Sequence, residues 1–198
     1  MFRTMPKIVQ LTAYSGLAVV VGLSSAWYMV DKGSRLTTSR SGPWSVWYRA
    51  GNPDADPYTR AHFARQGRLP VTTTSALYYT ANRDDEGDRL TANCDYAVEG
   101  RPLDAAWWSI AAYRSSGRLI PNKANRYAFS NRDIARGSDG RFRIVLSAEP
   151  RPGNWLPTVN SDQFQIMLRI YGPRSSRDAS GERRIDAQLP RIKRINCP

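Results

Sequence analysis

The chain has 198 residues and a formal net charge of +12, with 29 lysines and arginines against 17 aspartates and glutamates. This length accommodates one domain with a real core. The basic balance suggests an acidic partner surface, such as anionic lipid, acidic polysaccharide or nucleic acid, although scattered arginines also serve solubility alone. A single histidine excludes zinc and iron sites that need several imidazole ligands, so we expect no metal and no cofactor.

An uncharged apolar run from Ile8 to Val30 is long enough to cross a bilayer as one helix. About 20 residues at about 1.5 Å each span the hydrocarbon layer of about 30 Å. Trp27 and Tyr28 lie near its far end, where amphipathic rings favour the membrane interface. A signal peptide cleaved near Ser24-Ser25-Ala26 is the alternative. We expect residues 1–30 to be an uncleaved anchor.

Cys94 and Cys197 form an even pair at wide separation, without the C-x-x-C spacing of a zinc or redox motif. We expect a disulfide between them, and two unrelated buried thiols are the alternative. A disulfide indicates an oxidising compartment. Together with the anchor it predicts a single-pass protein of the bacterial inner membrane with its domain in the periplasm, and it makes nucleic acid an unlikely partner.

Residues 31–54 lack a sustained period and predict a linker that leads into a first short element near Trp44. Asp56-Pro57 is a good helix start, because aspartate caps helices and proline is tolerated at the first helical position. This start predicts a short helix over residues 57–66. His62, on this helix, is expected to be a surface or packing residue rather than a catalyst.

The remaining chain predicts a mainly β fold, a sandwich or barrel with frequent glycine and proline turns. The clearest strand is 163–172, where Phe164, Ile166, Leu168 and Ile170 alternate with polar or flexible residues. Residues 174–184 are polar and predict an exposed loop. The other predicted strands are 71–81, 90–98, 105–113, 141–148, short ones around 119 and 127–129, and a C-terminal edge strand within 189–197.

Six short motifs along residues 56–173 resemble the family called domain of unknown function 1214. The resemblance implies a jelly-roll-like β-sandwich over residues 55–198, often fused to or encoded with a companion domain of unknown function 1254. We therefore expect a separate companion protein as a partner. The resemblance implies no reaction and no catalytic residues. The motifs are Asp56-Pro-Tyr-Thr-Arg-Ala61, Gly67-Arg-Leu-Pro70, Tyr78-Tyr79, Trp107-Trp108-Ser109, Asn154-Trp-Leu-Pro157 and Leu168-Arg-Ile-Tyr-Gly-Pro173.

A set of polar and aromatic residues within these motifs is the candidate binding surface. It consists of Arg60, Trp107, Asn154, Trp155, Arg169 and Tyr171. The competing interpretation is that Asn154 and Arg60 satisfy buried backbone groups while Trp155 fills the core.

The sequence assigns no catalytic residue, because it offers one histidine, no Gly-x-Ser-x-Gly motif and no spacing that selects two carboxylates. We expect a membrane-anchored periplasmic protein that binds a partner protein or an anionic envelope component. The alternative is a hydrolase or lyase that acts on an envelope carbohydrate or lipid.

Overall fold

A computed structural model of the chain describes residues 6–31, 37–65, 67, 69–159, 161–174 and 189–197. Within these residues there are two helices, α1 over Lys7–Asp31 and α2 over Pro57–Arg65. Two β-sheets make up the rest of the regular structure. The strands are β1 Ser39–Ser41, β2 Trp44–Val46, β3 Ala76–Ala81, β4 Asp95–Gly100, β5 Ala105–Arg114, β6 Ala128–Ser130, β7 Phe142–Ser147, β8 Asn154–Pro157, β9 Phe164–Pro173 and β10 Arg191–Asn196.

The larger sheet has six strands in the order β1-β2-β3-β9-β5-β6, all antiparallel to their neighbours. The smaller sheet has the order β10-β4-β7-β8, with β7 and β8 parallel. β10 lies at an edge of the smaller sheet, as the C-terminal sequence predicts. The expected mainly β fold is confirmed.

The two sheets share one hydrophobic core. Trp108 of the larger sheet packs on Phe142 of the smaller one, with ring centroids 4.9 Å apart, and Tyr96 meets Phe164 edge to face at 5.7 Å. All four rings are at most 2% exposed. Removing a buried aromatic ring typically costs about 3–5 kcal/mol, so these contacts hold the two sheets together.

β9 occupies the centre of the larger sheet, between β3 and β5. Its alternation is confirmed: Phe164, Ile166, Leu168 and Ile170 are buried in the core, and the residues between them face outward. Since successive strand side chains point to opposite faces, burying one set fixes the direction of the other. The outward set includes Arg169.

The larger sheet begins earlier in the chain than residue 55. β1 and β2 lie inside the segment 31–54, where we expect a linker that leads into a first short element near Trp44. β2 is that element, and it pairs in register with β3. Trp44 of β2 is buried in the core, which explains why this segment is structured. Residues 32–36 of the predicted linker lie outside the described residues, as do 175–184 of the predicted loop.

β3 and β4 are shorter than the predicted strands. β3 starts at Ala76 because residues 72–75 form a turn, in which the Ser75 amide donates to the Thr72 carbonyl. β4 starts at Asp95, since the Cys94 amide closes a similar turn on the Thr91 carbonyl. Local turns therefore replace the first residues of both strands.

α2 begins where the sequence places it. The Asp56 carboxylate accepts the Thr59 backbone N–H at 2.9 Å and the Thr59 hydroxyl at 2.5 Å. The hydrogen bond from the Thr59 hydroxyl is the largest cause that favours the ionised carboxylate, and it lowers the pKa of Asp56 from its usual value. Aspartate thus caps the helix as predicted, and Gln66, the last predicted helical residue, lies outside the described residues.

α1 is long and apolar enough to cross a membrane, and none of its residues is buried. Its C-terminal end contacts α2. Asp31 pairs with Arg65 at 3.1 Å, the Arg65 guanidinium lies 4.5 Å from the Trp27 ring, and the Val30 carbonyl is 3.1 Å from His62 Nδ1. The candidate anchor is therefore joined to the first helix of the domain.

The disulfide between Cys94 and Cys197 is confirmed, and it attaches the end of β10 to the start of β4. A second attachment is an ion pair between Arg194 and Asp84, at 2.8 Å. Asp84 is buried and also accepts the backbone N–H groups of Glu86 and Asp88. β10 is thus held covalently and electrostatically.

Removing the disulfide by Cys94→Ser with Cys197→Ser should lower the free energy of unfolding by about 2–4 kcal/mol, because the unfolded chain regains the entropy of an open loop. The closed loop spans 103 residues. Denaturant unfolding of the full chain measures the effect. Reduced wild-type protein should unfold like the double variant, and equal stability of the double variant and the oxidised wild type would contradict the prediction.

Candidate ligand-binding site

The structure brings together three of the six residues expected to form one surface. Trp107, Arg169 and Tyr171 share the outer face of the larger sheet, where Trp107 pairs in register with Tyr171. Asn154 and Trp155 instead lie on β8 of the smaller sheet. Arg60 is exposed on α2. The expected single cluster is therefore divided among three places.

Asn154 has a structural role. Its side-chain oxygen accepts the Ala135 N–H at 2.8 Å, and its side-chain nitrogen donates to the carbonyls of Ala135 and Arg143 at 2.8 and 2.9 Å. The residue is buried, and these three bonds satisfy backbone groups that would otherwise lack partners. Trp155 is half-buried and donates its indole N–H to the Ser147 carbonyl.

A cavity of about 510 Å³ lies between the outer face of the larger sheet and α2. We call it the Arg169 pocket. Small-molecule sites typically have volumes of about 300–1,000 Å³, so the pocket is large enough for a ligand of sugar size. Its lining includes Trp47, His62, Tyr78, Tyr113, Arg169 and Tyr171.

Strand register places the polar lining side by side. Tyr78 of β3 pairs with Arg169 of β9, so both side chains leave the same face of the sheet. The hydroxyls of Tyr78 and Tyr171 are 3.1 Å apart and form a hydrogen bond. The Tyr171 ring also lies 5.4 Å from the Trp107 ring, which extends the aromatic surface beyond the pocket.

Among the described residues that line the pocket, Arg169 is the one lysine or arginine. Its Nη2 donates to the Tyr113 hydroxyl, and its guanidinium carbon lies 5.3 Å from the Tyr113 ring centroid. No aspartate or glutamate among the described residues comes within 4.0 Å of it. A guanidinium carries five N–H donors, so most of them stay available for a carboxylate or phosphate.

The opposite wall of the pocket is aromatic. The Trp47 ring stacks on His62 of α2 at 4.7 Å, and Phe63 meets Trp47 edge to face at 5.3 Å. His62 is also the residue that contacts the end of α1 at Val30. One wall of the pocket is therefore in direct contact with the candidate membrane helix, and His62 serves in packing, as expected.

A second charged surface covers the outer face of the smaller sheet. It is an open groove whose described lining includes seven lysines and arginines and three acidic residues. Glu99 pairs with Arg143 at 3.6 Å and with Lys193 at 3.3 Å, and Asp95 pairs with Arg151 at 2.5 Å. These cations are at least 41% exposed, so solvent and salt screen them. The groove is a weaker candidate site than the Arg169 pocket.

The profile of the family described as Protein of unknown function (DUF1214) matches residues 75–175. The chain belongs to this family. The matched DUF1214 segment includes β3, β5 and β9. These strands carry Tyr78, Trp107, Tyr113, Arg169 and Tyr171.

The DUF1214 chain is similar in fold to the crystal structure of the VPA0106 protein from Vibrio parahaemolyticus. The TM-score is 0.63 at 21% identity, over 99% of this chain and 47% of that one. An uncharacterised protein from Burkholderia cenocepacia matches with a TM-score of 0.45 at 19% identity, over 92% and 52%. This chain thus spans about half the length of both. No match was found among curated proteins.

Sequence reasoning missed Trp47, Tyr78 and Tyr113 as site residues. Tyr113 was detectable, because it lies six positions after Trp107 in one strand and therefore on the same face. Trp47, in a loop, contacts His62, on a helix 15 positions further along the chain. The periodicity of the sequence does not predict such a contact.

Tyr78 is a hydrogen-bonding group rather than a base at neutral pH. Desolvation, followed by the hydrogen bond to Tyr171 and the charge of that phenol, raises the pKa of Tyr78 to about 12, while the nearby Arg169 charge opposes the shift. A neutral phenol in this position can donate to, or accept from, a bound ligand.

The raised pKa predicts a stability change in alkali. An unfolded tyrosine loses its proton near pH 10, whereas folded Tyr78 keeps it to about pH 12. In this range the unfolded state binds fewer protons than the folded state. The free energy of unfolding should therefore fall as pH rises from 10 to 12. Denaturant unfolding across this range should show that the free energy of unfolding falls less with pH in Tyr78→Phe than in the wild type.

The matched control is Tyr58→Phe, which removes an exposed hydroxyl from α2. This variant should follow the wild-type pH dependence. A Tyr78→Phe curve parallel to the wild type would contradict the assignment.

Proposed function

We propose that α1 anchors this DUF1214 protein in the bacterial inner membrane, and that the Arg169 pocket binds an anionic envelope component in the periplasm. The observation that carries the proposal is the Arg169 guanidinium, which lines an aromatic cavity and pairs with no carboxylate among the described residues. Arginine in such a setting matches planar anions through paired N–H bonds.

The pocket chemistry supports a ligand that is an anion attached to a ring or an apolar body. Arg169 would take the carboxylate or phosphate, and the phenol of Tyr78 lies in register beside it. The aromatic rings of Trp47 and Tyr171 also line the pocket. Partial burial strengthens the charge-assisted bonds, because water competes less for the guanidinium than at a fully exposed site.

Two features support the anchored, periplasmic arrangement. α1 has the length and composition of a membrane span, and the domain carries a disulfide that is typical of oxidising compartments. With the N-terminus in the cytoplasm, the contact between α1 and α2 would hold the Arg169 pocket near the periplasmic surface of the membrane.

Binding is a better proposal than catalysis. A hydrolase or lyase acting on an envelope carbohydrate or lipid would need a group that accepts a proton near neutral pH. The high pKa of Tyr78 makes this phenol a poor base. His62 is held between Trp47, Phe63 and the Val30 carbonyl.

Two finer expectations remain predictions. The family resemblance implies jelly-roll connectivity for the two sheets and a companion protein with a domain of unknown function 1254. We propose such a companion protein as a partner, on the strength of the family resemblance alone. Co-purification from solubilised membranes is the direct way to identify it.

Calorimetry on the full chain in a neutral detergent tests the binding proposal. The probes are glycerol 3-phosphate and glucuronate, with glycerol and glucose as their uncharged counterparts. We expect saturable binding of at least one anionic probe and none of the neutral ones. Arg169→Gln should weaken this binding about tenfold or more, because it removes charge-assisted hydrogen bonds.

Arg191→Gln is the matched control, since it removes the same charge from the exposed outer face of the smaller sheet. It should leave the affinity unchanged. An equal loss of affinity in both variants would show a general charge effect and would contradict a specific role of Arg169. If neither anion binds, the proposed function is contradicted.

A further inference from the structure

The rim of the Arg169 pocket carries exposed apolar side chains. Leu69 is 97% exposed and Val71 is 43% exposed, and both line the cavity together with Pro70. One exposed leucine alone requires no explanation. Here, however, the exposed apolar residues line the same pocket as His62, which contacts the end of α1.

The rim is held in a defined position. Gly51, with φ of +72°, lies so close to residues 70 and 71 that a Cβ on it would be 2.5 Å from the Val71 carbonyl carbon. Only glycine allows this approach and this backbone conformation. The backbone that follows Leu69 is thus packed closely against Gly51.

The end of α1 shows the same character as the rim. Trp27 and Tyr28 are 64% and 62% exposed, as expected for rings in the head-group layer of a membrane. Arg65 of α2 contacts Trp27, and Arg60 is exposed on the same helix. Arginines near the membrane surface are attracted to anionic lipid head groups.

The inference that follows rests on the proposed function and names the ligand of the same pocket more narrowly. We propose that the Arg169 pocket binds the phosphate-bearing head group of an anionic glycerophospholipid from the leaflet that surrounds the end of α1. The guanidinium takes the phosphate, and Leu69 and Val71 contact the first part of the acyl chains in the membrane interface. An amphipathic ligand accounts for both the cation inside the pocket and the apolar rim outside it.

The test uses the full chain reconstituted in vesicles of equal phosphatidylcholine and phosphatidylglycerol. Native mass spectrometry after gentle release counts the lipids retained by each protein. Wild-type protein should retain phosphatidylglycerol in preference to phosphatidylcholine. Arg169→Gln should reduce this retention about tenfold, and Arg169→Lys should reduce it less, because lysine keeps the charge but not the paired donors. Arg191→Gln should retain lipid like the wild type.

Leu69→Ser separates the lipid inference from the proposed function. Its side chain is exposed, so the fold does not depend on it. It should reduce phosphatidylglycerol retention about fivefold through lost apolar contact, and it should lower the affinity for glycerol 3-phosphate much less, because that probe has no acyl chain.

The outcomes distinguish the two proposals. Arg169-dependent binding of glycerol 3-phosphate without retention of phosphatidylglycerol would overturn the lipid inference and support the proposed function, with a free phosphate compound as ligand. Retention that is insensitive to both Arg169→Gln and Leu69→Ser would also overturn the inference. Failure of both the lipid and the soluble anion to bind would overturn both proposals.

Discussion

The alternation of side chains along β9 is the constraint on which the structure depends. Leu168 and Ile170 must face the core between the sheets, so Arg169 and Tyr171 must face away from it. The same rule acts on the paired strands, where Leu77 and Trp108 point inward and Tyr78 and Trp107 outward. The polar and aromatic outer face is thus produced by the same periodicity that builds the core.

An outer sheet face alone is not a binding site, because water has free access to it. Here α2 and the segment that follows it cover part of the face and create a cavity above Arg169. The position of α2 is set on one side by the stacking of Trp47 on His62 and on the other by the contacts of Arg65 with α1. One short helix therefore lines the pocket and contacts the candidate anchor, which is why we propose a ligand at the membrane surface.

The sequence predicts features that arise from local periodicity or composition. The apolar run of α1, the cap of α2, the alternation of β9 and the pairing of two lone cysteines belong to this class. Apart from the disulfide, it does not predict contacts between distant segments. Asn154 resembles a site residue in sequence, yet its side chain is buried and makes three hydrogen bonds to the backbone of Ala135 and Arg143.

The ion pair between Asp84 and Arg194 is a further contact that sequence reasoning could not find, since 110 positions separate the two residues. Likewise, the cation of Arg169 is visible in the sequence, but its lack of an acidic partner among the described residues is a property of the fold. What distinguishes this arginine from the many scattered over the chain is its environment, and only the structure shows that environment.

The most direct test of the account is the NMR signal of the Arg169 Nε–H group in isotope-labelled full-length protein, assigned through Arg169→Lys and followed during titration with glycerol 3-phosphate. The account predicts a saturable shift of this signal while that of Arg191 stays constant. A constant Arg169 signal, or equal shifts at both arginines, would contradict the claim that the pocket binds an anion.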